Sequence, residues 1–92
     1  MVVKTINLID AGTSTGTKGN QNQIYTGKQD FNVTFTNTPT VFLSIGYGNS
    51  GYAITYNPTH VCDTSFSWLV KFDSGFNDTG TFTVSWFAID YN

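Results

Sequence analysis

The sequence contains no arginine and no glutamate, and all of its charged residues are lysines and aspartates. Charged residues make up 11% of the chain, and the net charge is −2. Binding of nucleic acid requires several cations that displace counterions from phosphates, so this composition argues against DNA or RNA as a partner. Arginine and glutamate also favour helices, and their absence therefore argues against helical structure.

Cysteine and long apolar runs are equally scarce. Cys62 is the only cysteine, which excludes an intramolecular disulfide. Because cysteine is among the residues most often buried, we expect Cys62 to be a small core residue rather than a nucleophile. No apolar run approaches the roughly 20 residues that span a bilayer, so we expect no membrane insertion.

The residues that are abundant favour a small β domain. Of the 92 residues, 39% are hydrophobic and 16% are aromatic. This is enough to form a core, and we expect a single domain spanning residues 1–92. A domain of this size is marginally stable by itself and often gains stability from oligomerisation.

Alternation of apolar and polar residues predicts strands along most of the chain. It is clear in residues 31–35, 41–47, 52–56, 66–72 and 82–88, and weaker in an opening strand over residues 2–9. Turn-forming residues separate these segments at 37–39, 48–51, 57–58 and 75–80. Six strands joined by short turns predict an all-β fold, a six-stranded antiparallel β-sandwich.

Residues 11–30 do not share this pattern. The segment is almost entirely polar apart from Ile24 and Tyr25. Long polar loops in compact domains are usually either mobile or functional, and the sequence leaves both interpretations open.

Two strands are apolar on both faces. Phe87 and Ile89 lie on the face opposite Val84 and Trp86, and Phe42 lies opposite its apolar neighbours. A sandwich needs only one apolar face on each sheet, so the second face is predicted to contact another subunit.

Four short motifs stand out in the chain: Val33-Thr-Phe, Pro39-Thr-Val-Phe-Leu-Ser-Ile, Thr64-Ser-Phe and Val84-Ser-Trp-Phe-Ala-Ile. Together they resemble the H-type lectin domain of snail agglutinins and of the C-terminal region of slime-mould discoidins. The closing strand is also similar to the tip domains of bacteriophage tail fibres. The H-type resemblance implies a homotrimer with sugar sites between subunits, commonly specific for N-acetylgalactosamine. Tyr52 lies nearest the position of the arginine in the family's sugar site.

Two predicted turns carry side chains suited to sugar binding. Residues 73–79 combine an aromatic ring with two carboxylates and an amide, and Tyr52 follows the glycine-rich turn at 48–51. An aromatic ring covers the apolar side of a sugar, and carboxylates and amides bind its hydroxyls. The alternative is a polar turn whose side chains cap their own backbone. The predicted ligand-binding residues are Tyr52, Asp73, Phe76, Asn77 and Asp78.

Signs of catalysis, metal binding or a cofactor are weak. Asp73, Asn77 and Asp78 do not match a calcium loop, and one histidine with one cysteine falls short of a zinc ligand set. His60, the only histidine, is most simply a surface or capping residue. We therefore expect no enzyme activity, no metal and no cofactor.

Two functions remain open. The first is a lectin-like module that recognises surface glycans as a homotrimer. The second is a structural virion protein, a tail-fibre tip or capsid decoration without intrinsic sugar binding. The low charge and the Thr- and Asn-rich composition favour an extracellular or virion-surface location in both cases.

Overall fold

The regular secondary structure consists entirely of β-strands in the part of the chain that the computed structural model describes, residues 6–19, 24–47, 54–72 and 79–91. These residues form six strands and no helix, which confirms the predicted all-β class. The strands are β1 (Ile6–Lys18), β2 (Ile24–Asp30), β3 (Thr40–Tyr47), β4 (Ile54–Thr59), β5 (Ser65–Phe72) and β6 (Gly80–Tyr91).

The six strands form two three-stranded sheets. One sheet has the order β1-β6-β3 and the other has the order β2-β5-β4. Every pairing between neighbouring strands is antiparallel. The longest strand pairing joins β1 to β6 and continues to Lys18 opposite Gly80. The predicted antiparallel arrangement is therefore confirmed, with β6 and β5 as the central strands.

The core lies between the two sheets and is unusually aromatic. Trp86 is 4% exposed and Trp68 is 5% exposed, as their inward positions in the sequence pattern predict. The rings meet edge-on across the layer. The ring centres of Phe66 and Trp86 lie 5.4 Å apart, and those of Phe82 and Trp68 lie 5.7 Å apart. Such ring pairs add stabilisation beyond their buried area. The buried apolar residues are Phe31, Phe35, Val41, Phe66, Trp68, Val70, Phe72, Phe82, Val84, Trp86 and Ala88.

The prediction of a long loop at residues 11–30 is wrong. β1 extends to Lys18, and β2 accounts for residues 24–30. The inward positions of these strands hold glycines that face large rings on the neighbouring strand, as in the pairs Gly12–Trp86 and Gly27–Trp68. A Cβ atom on Gly12 would lie 2.8 Å from Cζ2 of Trp86. The ring on the partner strand fills the space above each glycine, so these strands show no apolar alternation of their own.

The prediction of a strand at residues 31–35 is also wrong. These residues form no strand and bend at Asn32 and Val33, although Phe31 and Phe35 are buried as their pattern predicts. Their backbone amides donate to the carbonyls of Thr64 and Asp63, at 2.9 Å each. The segment therefore pairs with the β4–β5 connection, and its two phenylalanines add to the aromatic core.

Asn57 and Pro58, predicted to form a turn, lie inside β4 instead. β4 is an edge strand that pairs only with β5. Proline lacks an amide hydrogen and is tolerated on an edge strand, where one side of the backbone has no ladder partner. The change of direction comes at His60, whose φ angle is +50°.

Candidate functional site

The predicted ligand-binding residues, Tyr52, Asp73, Phe76, Asn77 and Asp78, lie outside the described residues. The described strand ends that flank their two segments do lie together. Ile54, at the start of β4, pairs with Phe72, at the end of β5. The Phe72 ring is 5.5 Å from the ring of Phe82, near the start of β6. The described strand ends that border the two segments therefore lie at the same end of the sandwich.

A buried lysine lies at this end of the sandwich. The side chain of Lys18 has no exposed surface, and its Nζ donates to the carbonyl of Gly19 at 2.9 Å. The same Nζ lies 5.6 Å from the centre of the Phe72 ring, a cation–π distance. Sequence reasoning missed this residue, although the alternation along β1 places it on the same inward side as Gly16.

The outer face of the β1-β6-β3 sheet has a distinctive composition. Strand pairing aligns its outward residues in rows that run from β1 across β6 to β3. None of the described outward positions carries a charge. One half of the face is apolar and the other half carries hydroxyl groups. The apolar half contains Ile6, Ile9, Ala11, Phe42, Phe87, Ile89 and Tyr91 with Thr40 at its edge, and the hydroxyl half contains Thr13, Thr15, Thr17, Ser44, Thr81, Thr83 and Ser85 with Gly46 at its edge.

The apolar half of this uncharged face is well exposed. Phe42 pairs with Phe87 across β3 and β6, and their ring centres lie 5.4 Å apart. Phe42 is 49% exposed and Phe87 is 39% exposed. Ile6, Ile9 and Tyr91 extend the patch along β1 and β6. The sequence predicted that Phe42 and Phe87 would lie on the face opposite the core, and their exposure confirms this position.

The outer face of the β2-β5-β4 sheet carries charged and polar side chains, beside the apolar Ile24 and Leu69. It contains a groove of about 410 Å³ that crosses the sheet. Lys28, Ser67 and Thr59 are direct cross-strand neighbours in this groove. We call it the polar groove, and it is lined by Thr26, Gly27, Lys28, Thr59, His60 and Ser67.

His60 lies at the β4 end of the polar groove. It is exposed, as predicted from its being a lone histidine, and its Nδ1 lies 3.2 Å from Oγ1 of Thr59. Its positive φ angle is a conformation in which histidine is enriched several-fold among non-glycine residues. The left-handed turn ends β4 at the groove.

Cys62 is exposed, which contradicts the prediction that it is a core residue. It follows β4 in the connection to β5, where its amide donates to the carbonyl of Ser65 at 2.9 Å. Hydrogen bonding to the side chains of Ser65 and Thr64, each with its hydroxyl oxygen 3.5 Å from Sγ, lowers the pKa of the Cys62 thiol from 9.0 to about 7. Its backbone pairing holds this residue at the surface, which the residue type alone did not indicate.

A network centred on Asp10 connects β1 to the bends that follow β2. Asp10 is buried, and its Oδ2 accepts a hydrogen bond of 2.7 Å from the amide of Asn32. Its Oδ1 accepts hydrogen bonds from the Asn32 side-chain amide and from the Ala11 amide, at 2.9 Å each. Both oxygens of the side chain therefore accept hydrogen bonds that tie β1 to residue 32, so we assign Asp10 a structural role.

The described ranges contain neither a candidate metal cluster nor a membrane-spanning helix. Within them, no group of three or more His, Cys, Asp or Glu side chains could hold a metal ion. In the same part of the chain, no helix has the length and apolar character needed to cross a membrane.

Comparison with known proteins does not assign a family. No family model matches the chain, and no curated protein matches it either. The resemblance to H-type lectins therefore stays a prediction from sequence motifs.

Proposed function

We propose that this protein is a lectin-like binding module that recognises surface glycans as a homotrimer, outside the cell or on a virion. The observation that carries the proposal is the uncharged outer face of the β1-β6-β3 sheet. Its exposed apolar half includes Phe42 and Phe87, whose rings are in contact. Contiguous apolar patches of this kind mark interaction surfaces.

The composition of the face favours contact with a second copy of the chain. Burying a charge without a partner is costly, and no described outward position on this face carries one. The hydroxyl half, with residues such as Thr83 and Ser85, provides both donors and acceptors, so two such faces can satisfy each other. The number of copies, three, comes from the resemblance to H-type lectins.

The proposed glycan site is formed by Tyr52, Asp73, Phe76, Asn77 and Asp78. Support comes from the described strand ends that border the two segments, which lie together at one end of the sandwich. Loops that extend from a rigid β scaffold commonly carry binding residues. The resemblance favours an N-acetylgalactosamine-like sugar, and no metal or other cofactor is part of the proposal.

A structural virion protein is the second candidate. The uncharged face supports it equally, because a fibre tip or capsid decoration also assembles through such surfaces. The two candidates differ in sugar binding, since the structural protein is expected to bind no glycan.

Light scattering tests the assembly. Three chains of 10.1 kDa give a particle of about 30 kDa for a closed trimer. Phe87→Ser removes an exposed ring from the uncharged face and should yield monomers with an unchanged circular dichroism spectrum. Ile24→Ser is the matched control, since Ile24 is exposed on the outer face of the other sheet. A wild-type mass near 10 kDa at all concentrations would refute the trimer.

A glycan array tests the ligand. The wild-type protein should bind at least one surface glycan, and Asp73→Ala, Phe76→Ala and Asn77→Ala should each weaken that binding. Turn residues without core contacts change stability by only about 0.5 kcal/mol, so the melting temperatures should stay within a few degrees. If the wild-type protein binds no glycan on the array, the structural virion protein is favoured. If binding survives all three substitutions, the glycan site lies elsewhere.

A further inference from the structure

The polar groove has the chemistry of a binding site for an acidic ligand. Its lining combines the ammonium of Lys28 and the imidazole of His60 with the hydroxyls of Thr26, Thr59 and Ser67. No carboxylate is among these lining residues. An ammonium provides three donors, and hydroxyls both donate and accept. This set can neutralise one negative group and bind several hydroxyls beside it.

The shape of the groove follows from the register of the sheet. Ser67 lies on the central strand between Lys28 and Thr59, and its short side chain leaves a depression between them. Neighbouring strands are about 4.8 Å apart, so these three residues span about 10 Å across the sheet. This span is longer than a single carboxylate or sulfate needs, so a ligand that fills the groove also carries a polar body.

The nearest described acidic group competes only weakly for Lys28. Oδ1 of Asp30 lies 3.9 Å from Nζ of Lys28, and both side chains are largely exposed, at 80% and 69%. Exposed ion pairs of this kind contribute little free energy. A ligand anion in the groove can therefore take the place of Asp30 as the partner of Lys28.

We infer that the polar groove binds an acidic saccharide. Its carboxylate or sulfate ester pairs with Nζ of Lys28, and its ring hydroxyls hydrogen-bond to Ser67, Thr59 and Thr26. The saccharide part rests on the proposed function, whereas the anion part rests on the lining of the groove alone. The groove lies on the sheet opposite the uncharged face, so it stays accessible when that face is covered.

Titration of the ¹⁵N-labelled full chain, followed by NMR, tests this inference. Sodium glucuronate and glucose 6-sulfate are the probes, glucose is the neutral counterpart, and sodium acetate and sodium sulfate are the simple anions. We expect at least one acidic sugar to shift the amides of Gly27, Lys28, Ser67 and His60. Which of the two binds identifies the acidic group, and glucose should bind at least fivefold more weakly.

Two lysines on the same sheet face provide a matched pair of variants. Lys28→Gln should weaken binding of the acidic sugar by about fivefold, a size expected for one partly solvated ion pair. Lys71→Gln removes the same charge on β5, outside the groove lining, and should change the affinity less than twofold. Asp30→Asn removes the competing carboxylate and should strengthen binding.

Four results would overturn the inference. They are the absence of groove shifts with either acidic sugar, equal affinity for glucose, equal losses in Lys28→Gln and Lys71→Gln, and simple anions that bind as tightly as the acidic sugars. The last result would leave a plain anion site and no saccharide site. Failure of the proposed loop site would look different from failure of this inference. If the loop site is wrong, Asp73→Ala and Phe76→Ala leave glycan binding intact while the groove amides still shift.

Discussion

Substitution of Gly16 by alanine tests the packing that makes β1 a strand. Gly16 lies opposite Phe82, and a Cβ atom there would be 2.7 and 2.8 Å from Cε2 and Cε1 of the ring. Non-bonded carbon atoms normally stay about 3.5–4.0 Å apart, so the ring or the strand must move by about 1 Å. The Phe82 ring is packed on several sides, because its centre lies 5.8, 5.7 and 5.5 Å from the ring centres of Tyr25, Trp68 and Phe72.

The expected loss of stability follows from this crowding. Overpacking of a filled core costs about 1–3 kcal/mol, and a ring held by three others is expected to lie at the upper end. Alanine also reduces the conformational entropy of the unfolded chain, which offsets about 0.5 kcal/mol of this loss. The net loss should be about 2.5 kcal/mol, and the melting temperature should fall by about 10–20 °C.

Gly46→Ala is the matched control for this substitution. Gly46 lies on β3 of the same sheet, and a Cβ atom there would meet nothing within 4 Å. Gly46 lies on the face proposed for assembly, so both variants are compared in the Phe87→Ser background. There, alanine at position 46 should leave the protein as stable as its parent, or more stable by up to about 1 kcal/mol. Urea unfolding followed by tryptophan fluorescence measures both variants, at one protein concentration because assembly adds to apparent stability. Equal stability of the two variants would refute the glycine–aromatic packing.

Three further outcomes are expected. Trp86→Ala should cost about 3–5 kcal/mol, as for other buried aromatic rings, and calorimetry showing an unchanged melting temperature would contradict its core position. Asp10→Ala should cost about 1–3 kcal/mol in urea unfolding, because the Asn32 amide loses its acceptor; a change below about 0.5 kcal/mol would show that this network is dispensable. Alkylation of Cys62 should increase with pH around a midpoint of about 7, and Ser65→Ala should raise that midpoint towards 9.0. A wild-type midpoint near 9.0 would exclude thiolate stabilisation by the neighbouring hydroxyls.

The sequence alone was sufficient to predict a strand and its buried side chains wherever the strand supplies its own apolar face. In β5 and in residues 82–86 of β6, every second residue is large and apolar, so alternation by itself places Trp68 and Trp86 in the core. The all-β class followed for the same reason, together with the absence of arginine and glutamate. Exposure of Phe42 and Phe87 followed from alternation as well, because both residues break an otherwise regular pattern.

Only the tertiary structure reveals a strand whose inward positions are covered by apolar side chains from another strand. Residues 11–18 of β1 and all of β2 look like a polar loop in sequence, because Gly12 and Gly27 face rings that belong to β6 and β5. No local pattern records that pairing, since the partner residues are more than 40 positions away. The polar groove was missed for the same reason: Lys28, Ser67 and Thr59 are separated along the chain and become neighbours only when the register of β2, β5 and β4 is set.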